Sequence, residues 1–197
     1  MPNAITMLKA DHTVLKRVLR ELNAVEGNGA QQLKRRETLV QQLERELKTH
    51  AQLEEEVFYP AFKAAAEKKK SATDSFYEAA EEHHVVDMVL PSLKTANPKS
   101  NEFKAKAKVI KELIEHHIKE EEKEMFAMAR SLFDEDQLNE LGDLMQGRKD
   151  SIEAMWANPL LRPIKKLQSA AQKLMPTKVK TAKAAALGKS MKARLNR

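Results

Sequence analysis

Apolar residues recur at intervals of three and four positions in four long segments of the chain, which is the spacing of one face of an amphipathic helix. Breaks at 26–30 (EGNGA) and 95–101 (TANPKSN) carry the glycine, proline and small polar residues that end helices. No segment alternates apolar and polar residues as a half-buried strand does. In the first segment the apolar face holds Ile5, Leu8, His12, Leu15, Leu19 and Leu22. In the second segment it holds Leu39, Leu43, Leu47, His50, Glu54, Val57 and Ala61.

Short connections make neighbouring helices antiparallel, so the pattern predicts an all-α protein with an up-down-up-down four-helix bundle. Asp134, followed by Gln137 three residues later, resembles a capping box. It predicts the start of a fifth helix, whose apolar face would hold Leu138, Leu141, Leu144 and Met145.

The charge distribution divides the chain into two parts. Residues 158–197 hold eleven Lys and Arg and no Asp or Glu, out of 35 basic residues in the whole chain. The remaining 24 basic residues share 1–157 with all 29 acidic residues. We therefore expect a mildly acidic helical bundle at 1–157 and a basic, partly helical or disordered tail at 158–197.

Three interpretations of the 158–197 tail stay open at this point. It can be a solubilising disordered segment, it can bind nucleic acid non-specifically by neutralising phosphates, or it can lie on an anionic membrane surface. No aromatic residue interleaves with its charges, so base stacking is not indicated. We expect a disordered or weakly helical tail first and binding to an anionic surface second.

The composition excludes several kinds of chemistry. The chain has no cysteine, which rules out disulfides, zinc–thiolate sites and thiol nucleophiles. No apolar run approaches the roughly 20 residues that span a bilayer, and the N-terminal sequence lacks the apolar core of a signal peptide. The sequence therefore predicts a soluble cytoplasmic protein without a transmembrane segment.

Each of the four main helices carries one histidine within its apolar face. Two of the same faces also carry a glutamate, four residues after the histidine. Four residues turn a helix by about 400°, so such a pair lies about 40° apart on one face. A glutamate that faces the core is costly unless it is paired or bound to a metal. The residues concerned are His12, His50, His83 and His117 together with Glu54 and Glu121.

The second and fourth helices also repeat each other, since HAQLEEEVFYP at 50–60 aligns with HIKEEEKEMFA at 117–127. The alignment and the apolar face both select His117 rather than the adjacent His116. The apolar face alone selects His83 rather than His84. We expect His84 and His116 to point to solvent or to lie just outside the site.

Ordinary explanations exist for each residue taken alone. A single histidine on an apolar face is usually a hydrogen-bonded core residue, and runs of glutamate are usually solvated. Four in-phase histidines and two matched His-x-x-x-Glu pairs favour a metal site instead. Imidazole and carboxylate ligands suit iron, manganese or zinc, and six ligands exceed what one tetrahedral zinc needs. We therefore expect two metals, most naturally iron, bridged by Glu54 and Glu121.

The combined pattern resembles the hemerythrin-like, or HHE cation-binding, family over about residues 4–145. It comprises Asp11-His12, the 50–60 segment, Glu81 to His83, and the 117–126 segment. The resemblance implies a non-haem di-iron centre with carboxylate and oxo or hydroxo bridges. It makes the four histidines terminal ligands and the two glutamates bridging ligands. A ferritin-like centre is disfavoured, because that bundle uses two Glu-x-x-His motifs and this chain has only Glu81 to His84.

The chain departs from the oxygen-carrying hemerythrins at Ala79, where they have a further histidine one turn before the third-helix ligand. Instead of simple oxygen carriage, the resemblance then implies binding of iron and of O2, NO or peroxide, for sensing, protection or iron handling. Two rival functions are a di-iron oxidase- or peroxidase-type enzyme and a metal-free helical interaction module with an anion-binding tail.

Other residues are expected near the ligands. Glu55 and Glu122 follow the two bridging candidates directly and are expected beside them. The neighbouring aromatic residues either line a dry pocket that controls solvent access and redox potential or simply pack in the core. They are Phe58, Tyr59, Phe62, Phe76, Tyr77 and Phe126.

Overall fold

The computed structural model describes residues 2–66 and 70–158, and these contain helices but no strand. Two π-helical turns, Glu54–Phe58 and Glu121–Met125, each join two α-helices: the first joins α2 (Ala30–Leu53) to α3 (Tyr59–Ala66), and the second joins α5 (Asn101–Glu120) to α6 (Phe126–Leu132). Each joined pair is one continuous helix. The described residues therefore form five long helices, which confirms the predicted all-α fold. The helices are α1 (Ala4–Ala24), α2 (Ala30–Leu53), α3 (Tyr59–Ala66), α4 (Lys70–Thr95), α5 (Asn101–Glu120), α6 (Phe126–Leu132) and α7 (Glu135–Ala157).

Side-chain caps fix where several helices begin. The Asn3 side chain accepts a hydrogen bond from the backbone N–H of Thr6 at 3.0 Å, and Ser100 caps α5 in the same way. The predicted capping box is confirmed, since Asp134 and Gln137 each donate a backbone N–H to the other's side chain, at 3.0 and 2.8 Å. Each such cap contributes about 1 kcal/mol.

The interior consists of two apolar clusters, one at each end of the bundle. One cluster contains Leu8, Phe58 and Phe126, and the other contains Leu15, Leu43 and Ile114. In α1, α2 and α4, the histidine of the apolar face lies in sequence between residues of one cluster and residues of the other. In α5, His117 lies between Ile114 and Ile118 of the second cluster, before Met125 of the first. The fold therefore gathers the four histidines into one layer that crosses the middle of the bundle.

Helix α7 packs against α1 and α2. Gly142 permits this close approach, because a Cβ there would lie 2.5 Å from the carbonyl oxygen of Pro2. Leu138, Leu141 and Met145 are buried as predicted. The prediction for Leu144 is wrong, since this side chain is half exposed on the outer side of the helix.

Two further predictions concern the basic tail and the absence of a transmembrane segment. The predicted basic tail, 158–197, lies outside the described residues apart from Asn158. Within 2–66 and 70–158, no helix combines the length and the apolar character needed to cross a membrane.

Candidate metal centre

The structure brings the six predicted ligands together in one buried cluster. His12, His50, His117, Glu54 and Glu121 are almost completely buried. His83 is the most accessible of the six, with 11% of its side chain exposed. A cluster of this kind, enclosed between two apolar cores, is costly unless its polar atoms find partners.

The donor atoms of the cluster fall into two groups, and within each group they lie within 4.8 Å of one another. The first group contains His12, His50, Glu54 and Glu121, and the second contains Glu54, His83 and His117. Glu54 belongs to both. Its Oε1 lies 3.3 Å from Nε2 of His50, and its Oε2 lies 3.2 Å from Nε2 of His83.

Glu121 lies opposite and uses its two oxygens differently. Its Oε2 lies 3.3 Å from Nε2 of His12 and 3.5 Å from Nε2 of His117, so it faces a histidine of each group. Its Oε1 accepts a hydrogen bond from the Tyr59 hydroxyl at 2.8 Å. Both glutamates therefore sit between the two groups, and Tyr59 holds the orientation of Glu121.

Several buried polar atoms of the cluster have no hydrogen-bond partner among the described residues. They are Nε2 of His12, both ring nitrogens of His50, both carboxylate oxygens of Glu54 and Oε2 of Glu121. Buried polar atoms are nearly always satisfied, and each unsatisfied one costs about 1–3 kcal/mol. Imidazole nitrogens and carboxylate oxygens that converge unpaired on common centres fit metal cations as their missing partners.

A second layer of carboxylates faces the outer nitrogens of the histidines. Nδ1 of His12 lies 3.0 Å from Glu122, and Nδ1 of His83 lies 3.0 Å from Glu55. Both carboxylates are thus where the sequence predicted them. A Nδ1–H that donates to a carboxylate fixes the tautomer, so that Nε2 is free to bind a metal, and it makes the ring a stronger ligand.

Sequence reasoning missed the carboxylates that face the other two histidines, of which only Glu82 is within hydrogen-bond distance. Nδ1 of His117 lies 2.8 Å from Glu82, and Nδ1 of His50 lies 3.9 Å from Asp11, which Lys149 holds at 2.6 Å. Both acids directly precede a ligand in the sequence, yet each reaches the histidine of a neighbouring helix. The only signal in the sequence was that each acid is adjacent to a ligand histidine. That signal points to the wrong histidine, because each acid faces the histidine of another helix.

The π-helical turns begin at the two glutamates, Glu54 and Glu121. In each turn the backbone N–H of the residue five positions later, Tyr59 or Phe126, donates to the glutamate carbonyl. Such turns insert one residue into a helix and are frequent at functional sites. Here the two occupy equivalent positions of the internal repeat.

The inserted residue also shifts the apolar face after Glu54. The α-helical spacing predicted Val57 and Ala61 on that face, but both are only partly buried. Phe58 and Phe62, one residue further along, are fully buried instead. Those two predictions were wrong because the π-helical turn rotates the rest of the helix by one position.

Three of the predicted aromatic residues contact the histidines or each other at the cluster. Phe126 stacks on His12 at 5.7 Å between ring centroids, and Tyr59 lies 5.6 Å from His83. Phe58 packs edge-on against Phe126. These rings close the cluster against the apolar core.

The other predicted aromatics lie further from the ligands. Phe62 stacks on Phe58, and Phe76 meets Tyr59 edge-on. Tyr77 is half exposed and lies beside Lys63 at the surface. His84 and His116 are exposed, as expected from the apolar faces.

Burial and close packing shift the pKa values of the ionisable side chains in the cluster. Burial lowers the pKa of His50 to about 4, so this imidazole is neutral at pH 7. Burial also lowers the pKa of His83, but the approach of Glu54 and Glu55 outweighs it and raises this pKa to about 10. Burial and the charge of Glu121 raise the pKa of Glu54 well above its ordinary value. Without a cation, the cluster therefore holds protons that a metal would displace.

Ala79 is buried on α4, one turn before His83. A cavity of about 20 Å³ lies beside it and is lined by His117 and Glu121 among others. This volume holds about one water molecule. Where the oxygen carriers have an additional histidine, this protein therefore has a cavity that holds about one water molecule.

Comparisons with known proteins agree with this fold and cluster. The sequence profile of the Hemerythrin HHE cation binding domain matches residues 3–129. The uncharacterized protein Rv2633c of Mycobacterium tuberculosis is 31% identical over 159 residues, which cover 80% of this chain and 90% of the relative. The uncharacterized protein Mb2666c of Mycobacterium bovis matches with the same figures.

A solved structure extends the likeness to the fold. It is the crystal structure of a hemerythrin HHE cation binding domain-containing protein from Mycobacterium kansasii, a homologue of Rv2633c. It matches with a TM-score of 0.66 and 27% identity, covering 78% of this chain and 89% of that one. The chain belongs to the hemerythrin HHE cation-binding domain family.

Proposed function

We propose that this protein binds two iron ions, and through them O2, NO or peroxide, for sensing, protection or iron handling. The observation that carries the proposal is the pair of donor groups that share Glu54 and leave buried nitrogens and oxygens unpaired. A single metal at His12 and His50 would leave Nε2 of His83 and Nε2 of His117 facing each other at 3.3 Å, beside Glu54. Two metals that share carboxylates satisfy both donor groups.

In this proposal His12 and His50 hold one iron, His83 and His117 hold the other, and Glu54 and Glu121 bridge them. Iron with imidazole and carboxylate ligands and an open position supplies the binding and activation of oxygen species. The outer carboxylates Glu55 and Glu122 then hold the imidazoles in place.

The route for small ligands is a cavity of about 340 Å³ on one side of the cluster. His50, His83 and His117 form part of its lining, together with apolar residues such as Val86 and Ile114. Phe126 and Tyr59 close the cluster against the core. O2, NO and peroxide all fit a cavity of this size, and about half of the residues that line it are apolar.

A second candidate function is a peroxidase- or oxidase-type activity at the same site. The position of Tyr59 favours it. Its hydroxyl is buried and donates to Glu121. Burial and the charge of Glu54 raise its pKa well above 10, so the phenol keeps its proton. A protonated phenol held at a bridging carboxylate is able to deliver a proton to a bound oxygen species.

Anaerobic loading with ferrous iron, followed by metal analysis and optical spectra after air exposure, tests the proposal. We expect two irons per chain and the absorption of an oxo-bridged pair. His83→Ala should lose at least half of the iron, whereas His84→Ala, the exposed neighbour, should bind as much as the wild type.

Less than one iron per chain, without oxo-bridge absorption, would refute the di-iron proposal. Turnover of hydrogen peroxide that is absent from the iron-loaded His117→Ala variant would add the enzymatic role. Unchanged turnover in that variant would assign the activity to adventitious iron.

A further inference from the structure

A small cavity lies between α4 and the segment formed by α5 and its π-helical turn, and its lining includes exposed glutamates and two residues of the candidate metal centre. We give the name acidic gap to the 20 Å³ cavity beside Ala79 and its lining. The small side chain of Ala79 on α4 leaves this space unfilled. The lining consists of Ser75, Glu78, Ala79, Glu82, His117, Glu120, Glu121, Glu124 and Met125.

Carboxylates enter this lining at matching intervals from both helices. Glu78 and Glu82 are four residues apart on α4, and Glu120 and Glu124 are four residues apart across the end of α5 and its π-helical turn. Side chains four residues apart lie on the same face of a helix. Both helices therefore direct a pair of negative charges to the same gap.

The glutamates of the acidic gap differ in how far they are buried. Glu78 and Glu124 are exposed, and Glu120 is partly buried. Glu82 is 23% exposed and already hydrogen-bonded to the ring of His117. The lining therefore holds carboxylates at exposed, partly buried and buried positions.

At the inner end of the gap lies a candidate ligand atom that has no hydrogen-bond partner among the described residues. Glu121 is 2% exposed, lines the gap, and has an Oε2 without a hydrogen-bond donor among the described residues. His117, the other buried residue of the lining able to bind a metal, belongs to the second donor group. The acidic series therefore ends on the donor atoms of the centre itself.

We propose that the acidic gap is the site through which divalent metal cations reach the buried centre. The inference rests on the proposed metal-binding function and adds the route to it. Carboxylates lower the cost of removing a divalent cation from water, and a cleft of one charge sign raises the association rate by about ten- to a thousandfold. Small neutral ligands use the larger 340 Å³ cavity instead, whose lining is about half apolar and places Lys48 beside the carboxylates Glu55, Glu82 and Asp87.

The test is the rate at which the full metal-free chain takes up Co²⁺, followed by its optical absorption in rapid mixing at low ionic strength. Glu78→Gln/Glu124→Gln neutralises the outer end of the acidic gap without touching a candidate ligand. We expect uptake about tenfold slower than in the wild type, with the same final amount of bound metal. Added salt should shrink this difference, because it screens exposed charges.

The matched control is Glu112→Gln/Glu115→Gln, which removes two exposed charges from α5 away from the gap. It should load within about twofold of the wild-type rate. A second variant, Ala79→Leu, fills the gap and should slow uptake at every salt concentration.

Three results would overturn the proposal. The first is metal uptake by Glu78→Gln/Glu124→Gln at the wild-type rate. The second is uptake slowed to the same extent in Glu112→Gln/Glu115→Gln. The third is slower uptake in Asp87→Asn, because Asp87 lines the larger cavity. A wild-type chain that binds no Co²⁺ or iron would refute the proposed function as well, whereas normal final binding with an unchanged rate refutes the route alone.

Discussion

Replacing Tyr59 by phenylalanine tests how the protein holds Glu121 in place. The ring is 1% exposed and keeps its packing in the variant, so that only the hydroxyl is lost. That hydroxyl donates to Glu121 at 2.8 Å in a buried setting. Hydrogen bonds to charged groups contribute about 1.5–3 kcal/mol. The metal-free variant should lose about 2 kcal/mol of unfolding free energy, which corresponds to about 4–8 °C in Tm for a chain of this size.

The assay is urea denaturation of metal-free protein, followed by circular dichroism. Tyr77→Phe is a natural control, because the chain has two tyrosines and the Tyr77 hydroxyl lies at the surface, 3.3 Å from Lys63. The control should change stability by less than about 0.5 kcal/mol. If Tyr59→Phe is as stable as this control, the buried hydrogen bond does not hold Glu121 and the argument fails.

Glu122→Gln removes the carboxylate on Nδ1 of His12 and should weaken iron binding by about 10- to 100-fold in a chelator competition. Arg36→Met removes a buried guanidinium that bonds three acceptors, at 2.8, 2.9 and 3.0 Å. It should cost at least about 2 kcal/mol in denaturation without changing the iron content. Metal loading at pH 7 should release at least one proton per chain, from His83 or Glu54, as measured by calorimetry in two buffers.

The raised pKa of His83 also fixes the sign of a pH effect on the metal-free protein. Its folded pKa is about 10, above the ordinary 6.5. The stabilisation by its charged form is thus complete below pH 6.5 and is lost as the pH rises to 10. Denaturation midpoints should fall over this range, and less so in His83→Gln. Equal slopes in both proteins would contradict the assignment.

The sequence predicted the fold and the cluster because helical periodicity is a local property. The three- and four-residue spacing put His12, His50, His83 and His117 on inward faces, and the histidine layer follows once the helices pack antiparallel. The internal repeat selected His117 over His116, and the structure has His116 exposed. Residues that repeat with the helical period are those that a sequence pattern can place.

The features that the sequence did not predict depend on a break in that period or on neighbouring helices. The π-helical turns moved the buried positions from Val57 to Phe58, and no local rule marks where such a turn starts. Glu82 hydrogen-bonds a histidine of another helix, and Asp11 faces one at 3.9 Å. Both placements depend on how the helices are rotated against each other. The acidic gap needs two helices as well, so only the folded protein brings its carboxylates together.

The most direct test of the central claim is anomalous X-ray scattering at the iron edge from crystals of the iron-loaded protein. We predict two peaks per chain, about 3.5–4 Å apart, one beside His12 and His50 and the other beside His83 and His117, with Glu54 between them. A single peak, or peaks outside these two groups, would contradict the account.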